Sequence, residues 1–313
     1  MVVEKTYLLP TTVEEAVSLA KAHEHDFCFI AGGTDALVNK YQGNKNNACI
    51  IDISRIKDLK TVTQTHDAIH IGALVTLEGL KQHAVLQEKF PALLYAAQEV
   101  AAPVLRKTAT IGGNILCENR CSFYNQSEWW RDAVGYCLKC EGDVCIATGG
   151  TKACFSKFVS DTAPVIISMN GQVELQDFDG VKIVPLESIY TGDGIQPRNI
   201  APTTLLTKII LPTDISFKVI FNKLRPREAV DFTSLTTAVS LRNDGKIRIV
   251  VGGVDPMPVV INGNESDDIS VLVKKTLAKA RVVDNDVYSR KYRREMLVLF
   301  VEKSLTELDK YQL

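Results

Sequence analysis

The sequence has no apolar run near the roughly 18 residues a membrane-spanning helix needs. Its richest apolar stretches, Ala163 to Met169 and Met296 to Val301, are short core-type runs. Its start, MVVEKTYLLP, lacks the basic region, apolar centre and small-residue cleavage site of a secretory leader. A cytoplasmic, reducing location with no membrane attachment is therefore expected. Charge of one sign is missing too: 36 Lys and Arg against 37 Asp and Glu leave a formal net charge of −1. That disfavours a nucleic-acid-coating or polybasic membrane-binding protein. With 19 glycines and 11 prolines, no internal repeat and no low-complexity linker, the chain is neither disordered nor fibrous. The five histidines show no metal-like spacing with cysteines or acids, so none is assigned a catalytic role.

What is present is a 313-residue chain, 46% hydrophobic, long enough for two domains. Val2 to Leu8 reads as a strand. A helix follows, with Thr11-Thr12 as N-cap, Glu14 and Glu15 at capping-box spacing, and an apolar stripe of Val13, Ala16, Val17 and Ala20. Phe27 to Ile30 and Ala48 to Ile53 read as strands; Leu59 to Thr65 and Ala68 to Leu74 form a hairpin across His66-Asp67. Helices are expected at Thr76 to Val85 and Ala92 to Ala101, and strands at Gln172 to Leu175 and Leu205 to Leu211. After a boundary at Pro212, a smaller unit holds strands at Leu235 to Leu241 and Ile247 to Val251 around the turn Asn243-Asp244-Gly245. Helices at Ile269 to Ala280 and Val287 to Leu308 close the chain. The basic cluster Arg290, Lys291, Arg293 and Arg294 reads as a solvated helix face or subunit contact.

Six of the eight cysteines crowd between Cys117 and Cys154. Cys28 and Cys49 lie in apolar strands and read as buried core thiols. In a reducing compartment, clustered thiols point to metal or redox chemistry rather than disulfides. Spacing alone leaves two metals open. Cys117-x-x-x-Cys121 with Cys137-x-x-Cys140 suits a structural zinc, and four thiolates also suit an iron–sulfur cluster. Phe123, Tyr124, Trp129, Trp130 and Tyr136 could shield a cluster or simply pack the loop.

Two glycine pairs follow β-like runs, Gly32-Gly33 and Gly112-Gly113. Such loops let backbone amides approach an anion. Neither fits G-x-G-x-x-G or is followed by Lys-Ser/Thr, so a Rossmann fold and a P-loop are poorly supported. In order, however, the chain carries Ala31-Gly32-Gly33-Thr34-Asp35, Thr110-Ile111-Gly112-Gly113-Asn114 and Ser160-Asp161-Thr162-Ala163-Pro164. Then come Lys223-Leu224-Arg225-Pro226-Arg227, Gly252-Gly253-Val254-Asp255-Pro256 and Tyr292-Arg293. This ordered set resembles the FAD-binding medium subunits of the xanthine dehydrogenase (molybdenum hydroxylase) family over nearly the whole chain.

The resemblance implies an α+β architecture. A PCMH-type (vanillyl-alcohol-oxidase-like) FAD-binding domain would span 1–212, with subdomains at about 1–56 and 57–212. A C-terminal α+β domain with a small antiparallel sheet would span 213–313. FAD would be held by Phe29, Ile30, Ala31, Gly32, Gly33, Thr34, Asp35 and Ala36, and by Thr110, Gly112, Gly113 and Asn114, with Asp161 and Lys223 beside it. The stretch between Asn114 and Ser160 is much longer than most members have. It is similar to the insertion, here 116–158, of the 4-hydroxybenzoyl-CoA reductase branch, whose flavin subunit binds an additional [4Fe–4S] cluster. Carried over by spacing, the ligands are Cys121, Cys137, Cys145 and Cys154, which leaves Cys117 and Cys140 outside the set.

The resemblance further implies an electron-transfer subunit with no catalytic side chain of its own. Its partners would be a large molybdopterin subunit and a small [2Fe–2S] subunit, as a dimer of heterotrimers, with an external carrier such as ferredoxin. The alternatives are a hydroxylase acting on another aromatic or N-heterocyclic substrate, or a zinc-stapled scaffold.

Overall fold

Residues 5–310 are described in a computed structural model of the chain. The first strand is Thr6–Leu8 (β1); the expected start at Val2 lies outside the described residues. Helix α1 (Val13–Ala22) begins where the sequence places a cap. Thr12 Oγ1 accepts the Glu15 amide at 3.1 Å, and Glu15 reaches back to the Thr11 amide at 2.7 Å. Ala16, Val17 and Ala20 bury against Ile51 in one apolar core. With Phe27–Ile30 (β2) and Cys49–Asp52 (β3) the segment forms a parallel sheet in the order β1-β3-β2. A short helix α2 (Ala36–Tyr41) leaves β2 directly after the first glycine pair.

The predicted hairpin is present as β4 (Val62–Gln64) and β5 (Ala68–Gly72). It joins β6 (Gln172–Asp177), β7 (Gly180–Pro185) and β8 (Leu205–Pro212) in an antiparallel sheet ordered β4-β5-β8-β6-β7. Thr76 to Val85 does not form the expected helix. The amides of Leu77 and Glu78 bond to Ala109 and Arg106 carbonyls, and Thr76 Oγ1 captures the Gly79 amide at 3.0 Å. These bonds serve first-turn amides that a helix would leave unpaired, and Leu80 still donates to the Thr76 carbonyl at 3.1 Å; the turn ends because His83 is extended, with φ −99° and ψ 108°. Only a tight turn at Gly79–Gln82 and a six-residue helix α3 (Ala84–Lys89) remain. The next helix, α4, runs Pro91–Gln98, with Pro at its start, and is followed by α5 (Pro103–Arg106) and α6 (Ile111–Ile115). In the cysteine segment α7 spans Glu128–Val134. After it, α8 (Thr162–Ser168) is buried along its whole length and packs against α4 and the last sheet.

That last sheet is antiparallel, ordered β12-β11-β10-β9, from β9 (Phe217–Leu224), β10 (Leu235–Arg242), β11 (Lys246–Gly252) and β12 (Val259–Asn264). Helices α9 (Ile269–Lys279) and α10 (Arg290–Asp309) cover it through a core that includes Leu272, Leu297 and Val301. One residue of the basic cluster departs from the expected solvated face. Arg293 is fully buried and donates to the carbonyls of Ser234 and Gly253 and to Asn285 Oδ1, stapling α10 to the sheet. Cys49 is buried as expected, whereas Cys28 is half-exposed, because β2 is an edge strand of its sheet. Among the described residues no helix is long and apolar enough to cross a membrane.

Candidate functional site

The two glycine loops meet. Gly32 crosses the backbone just before the second loop so closely that a Cβ would lie 1.9 Å from the Thr108 carbonyl oxygen, which only glycine permits. Gly33 has a φ of 71°, the left-handed region. Together they turn the chain from β2, where Phe29 and Ile30 pack inward, into α2. Among the described residues, the amides from Gly32 to Asp35 have no intramolecular acceptor. They are left free to donate outside the chain. The second loop is different: Gly112 donates to Ala73, Gly113 to Thr110 Oγ1 and Asn114 to the Thr110 carbonyl. Those three amides build the loop rather than stand ready for a phosphate.

Asn114 works through its side chain instead. Its Oδ1 accepts from Ser160 Oγ at 2.9 Å, Thr162 Oγ1 at 2.7 Å and the Thr162 amide at 3.2 Å, joining the second loop to the start of α8. Asp161 stands at the cap position of α8 but does not cap it. Its Oδ2 accepts from Lys223 Nζ on β9 at 2.6 Å, and its Oδ1 is buried without a partner. Both side chains are almost wholly buried, so they form an enclosed ion pair rather than a solvated one. Burial pushes the Asp161 carboxyl up to about 6, even with Lys223 beside it. A buried carboxylate oxygen without a partner is uncommon in a folded protein, and this one lies where these elements meet.

The cysteine segment hangs from a neck in which Arg120 and Lys157 exchange backbone hydrogen bonds of 2.9 and 2.8 Å. Inside it, Cys121, Cys137, Cys145 and Cys154 all line one small cavity, with Phe123, Tyr124 and Lys139. Cys117 and Cys140 do not. Backbone amides face three of the sulfurs. Those of Phe123 and Tyr124 face Cys121, those of Lys139 and Cys140 face Cys137, and that of Ser156 lies 3.4 Å from Cys154 Sγ. The Cys140 thiol hydrogen-bonds to Cys137 and, with those amides, draws it below the ordinary thiol range. Burial raises Cys121 to about 11 and also raises Cys154, the latter opposed by Ser156 and the Lys139 ammonium.

Of the aromatic side chains expected to screen the segment, Phe123 and Tyr124 line the cavity, whereas Trp129 is 78% exposed and Tyr136 lies at the surface. Among the described residues no three His, Cys, Asp or Glu side chains converge as ligands of one ion. A four-iron cube differs from a single ion here. It takes one thiolate at each of its four irons, so its ligands surround a volume rather than a point.

Several polar residues that spacing did not single out organise this region. Arg120 pairs with Asp35 of the first loop, and Asp35 Oδ2 accepts the Glu118 amide at 3.0 Å. Glu118 is gripped by Lys139 at 2.7 Å, Lys45 at 3.2 Å and Arg198 at 3.6 Å. Burial would raise its carboxyl, but these cations hold it well below the usual range. Asn119 donates to Ser156 and Pro256 carbonyls at 2.9 and 2.8 Å. The one signal for them in the sequence is a polar run, Glu118-Asn119-Arg120, set between two cysteines.

Comparison with known proteins adds to this geometry. A family model described as the FAD binding domain in molybdopterin dehydrogenase matches residues 3–214. The xanthine dehydrogenase FAD-binding subunit of Escherichia coli O157:H7 is 24% identical over 261 residues, spanning 81% of this chain and 75% of that protein. The aldehyde oxidoreductase FAD-binding subunit PaoB of Escherichia coli K12 is 28% identical over 239 residues, 74% of this chain and 75% of its own. In structure, a chain of carbon monoxide dehydrogenase from Hydrogenophaga pseudoflava is similar, with a TM-score of 0.77 at 19% identity. The match covers 97% of this chain and 96% of that one.

Proposed function

Because the chain belongs to the family of FAD binding domains in molybdopterin dehydrogenases, we propose that it holds FAD and one [4Fe–4S] cluster and relays electrons between an external carrier and a molybdenum-containing partner. The chain is an FAD-binding oxidoreductase subunit of the molybdenum hydroxylase type. Bound FAD supplies exchange between one- and two-electron chemistry, and an iron–sulfur centre supplies one-electron transfer.

The residues fit both groups. The amides of Gly32 to Asp35 would bind the diphosphate of FAD, with Phe29, Ile30, Ala31 and Ala36 shaping that loop. Thr110, Gly112, Gly113 and Asn114 would hold the second loop against it. Asp161, positioned by Lys223, would offer its unpartnered oxygen to the flavin nucleotide. Cys121, Cys137, Cys145 and Cys154 would ligate the cluster. The observation that carries this is that those four, widely spaced in sequence, line one cavity with amides facing three of their sulfurs.

In this reading residues 1–212 form the FAD domain and 213–313 a C-terminal domain. The partners are a large molybdopterin subunit and a small [2Fe–2S] subunit in a dimer of heterotrimers, in the cytoplasm, with ferredoxin as the class of carrier. The long cysteine segment favours reductive dehydroxylation of an aromatic acyl-CoA such as 4-hydroxybenzoyl-CoA. A second reading has support in the relatives, which are named for xanthine, aldehyde and nicotinate: oxidation of another aromatic or heterocyclic substrate, with electrons leaving the complex. Steady-state assay of the intact complex with a low-potential donor, against one with an oxidising acceptor, separates the two.

The cluster itself is tested on purified protein. Flavin absorbance with a broad iron–sulfur shoulder and about four irons per chain is expected; a zinc-loaded chain lacking iron would refute it. Cys145→Ser should abolish the iron while Cys140→Ser keeps it. The reverse pattern would overturn the ligand assignment.

A further inference from the structure

Lys139 is the charged side chain on the cavity wall, and it is almost wholly buried, with 5% of its side chain exposed. Its Nζ donates to Glu118 Oε1 and to the Gly194 carbonyl, both at 2.7 Å, and lies 4.9 Å from the centre of the Tyr124 ring. Gly194 in turn lies against a cysteine sulfur: a Cβ there would stand 2.8 Å from Cys154 Sγ. The ammonium is thus held one residue away from a cavity sulfur by fixed partners. Its counter-ion does not cancel it, because Glu118 is shared with Lys45 and Arg198. Three cations share this one carboxylate, so it is not Lys139's alone; the other carboxylate at the site, Asp193, accepts the Cys154 amide at 3.0 Å.

We propose that Lys139 is a positioning residue that raises the reduction potential of the cluster, and that Glu118 moderates this effect. The proposal rests on the cluster reading above. Four thiolates already make such a site anionic, and uptake of one electron, without a proton, adds a further negative charge. A fixed buried cation favours the more negative state, and net charge with hydrogen bonding is what sets these potentials. The same network touches the first glycine loop, since the Glu118 amide donates to Asp35. The charge that tunes the cysteine site is therefore anchored to the flavin loop.

The test is a potentiometric titration of the purified holoprotein with dithionite, followed by the cluster's electron paramagnetic resonance signal, with iron and flavin content measured alongside. Lys139→Gln should lower the ratio of reduced to oxidised cluster at a fixed potential about tenfold, equivalent to about 59 mV for a one-electron couple. Lys139→Arg should restore the wild-type value, and Glu118→Gln should move the potential upward. Opposite signs from the two neutralising variants are something a merely structural role would not produce. Iron-bearing variants with unchanged potentials, or both shifted the same way, overturn the proposal and leave the cluster reading standing. If Lys139→Gln fails to hold iron, a lowered or unmoved potential in Glu118→Gln refutes it. Wild-type protein without iron overturns both.

Discussion

Replacing Lys223 by methionine keeps most of the buried side-chain volume and removes one charge. The ammonium it deletes donates to Asp161 Oδ2 at 2.6 Å and to the Glu99 carbonyl at 2.8 Å. Breaking a buried ion pair from one side costs about 3–5 kcal/mol, because the abandoned charge stays desolvated. Asp161 can relieve that cost by taking a proton, so the penalty depends on pH. In the wild-type protein its carboxyl titrates near 6 when folded, against an ordinary value of 3.8. Between those values the folded state holds the extra proton, so stability falls as pH rises, by at most about 1.4 kcal/mol per unit, and levels off above 6. Without Lys223 the folded value moves higher and the fall continues. From pH 6 to pH 8 the variant should lose up to about 2.7 kcal/mol, against about 0.4 kcal/mol for the wild type. Urea unfolding of both proteins at pH 5, 6, 7 and 8, without added FAD, reads the gap directly. A gap that stays constant from pH 6 to 8 would refute the reasoning. The double variant Lys223→Met with Asp161→Asn should show no such widening.

Two further perturbations probe the loops. Gly32→Ala forces a methyl into the Thr108 carbonyl and should part the two glycine loops; flavin fluorescence titration should show FAD affinity reduced at least about tenfold, and unchanged binding would remove this loop from the flavin site. Asn119→Ala leaves two buried carbonyls, those of Ser156 and Pro256, without their donor. It should lower unfolding free energy by about 1–3 kcal/mol, seen as a shifted denaturant midpoint, and an unmoved midpoint would mean water replaces the amide.

The parts of the fold that could be read in the sequence are those set by short-range chemistry. The Thr12 cap, the α1 stripe and the β4–β5 hairpin depend on residues a few positions apart, and they stand where expected. The helix expected over Thr76 to Val85 is broken at His83, whose backbone is extended, and neither glycine nor proline stands at that position to announce it. Strands β9 and β12 lack clean alternation and owe their form to pairing with β10 and β11. In the site, spacing alone left zinc and iron–sulfur both open, and convergence of four thiols on one cavity is a fact of tertiary structure. The Lys223–Asp161 pair spans 62 positions, and Arg293 looked like any surface arginine until its helix was packed. Such residues carry no local signature, because burial is decided by what folds over them.

The neck formed by Arg120 and Lys157 is one of several attachments of the cysteine segment. Beyond it, Arg131 donates to the Gln42 carbonyl at 3.1 Å, Lys139 to the Gly194 carbonyl at 2.7 Å, and the Phe155 carbonyl accepts from Asn285 at 2.5 Å. A loop riveted along its length surrenders its freedom to the framework as it folds. Cutting it out would strand donors and acceptors in parts of the chain far from either of its ends.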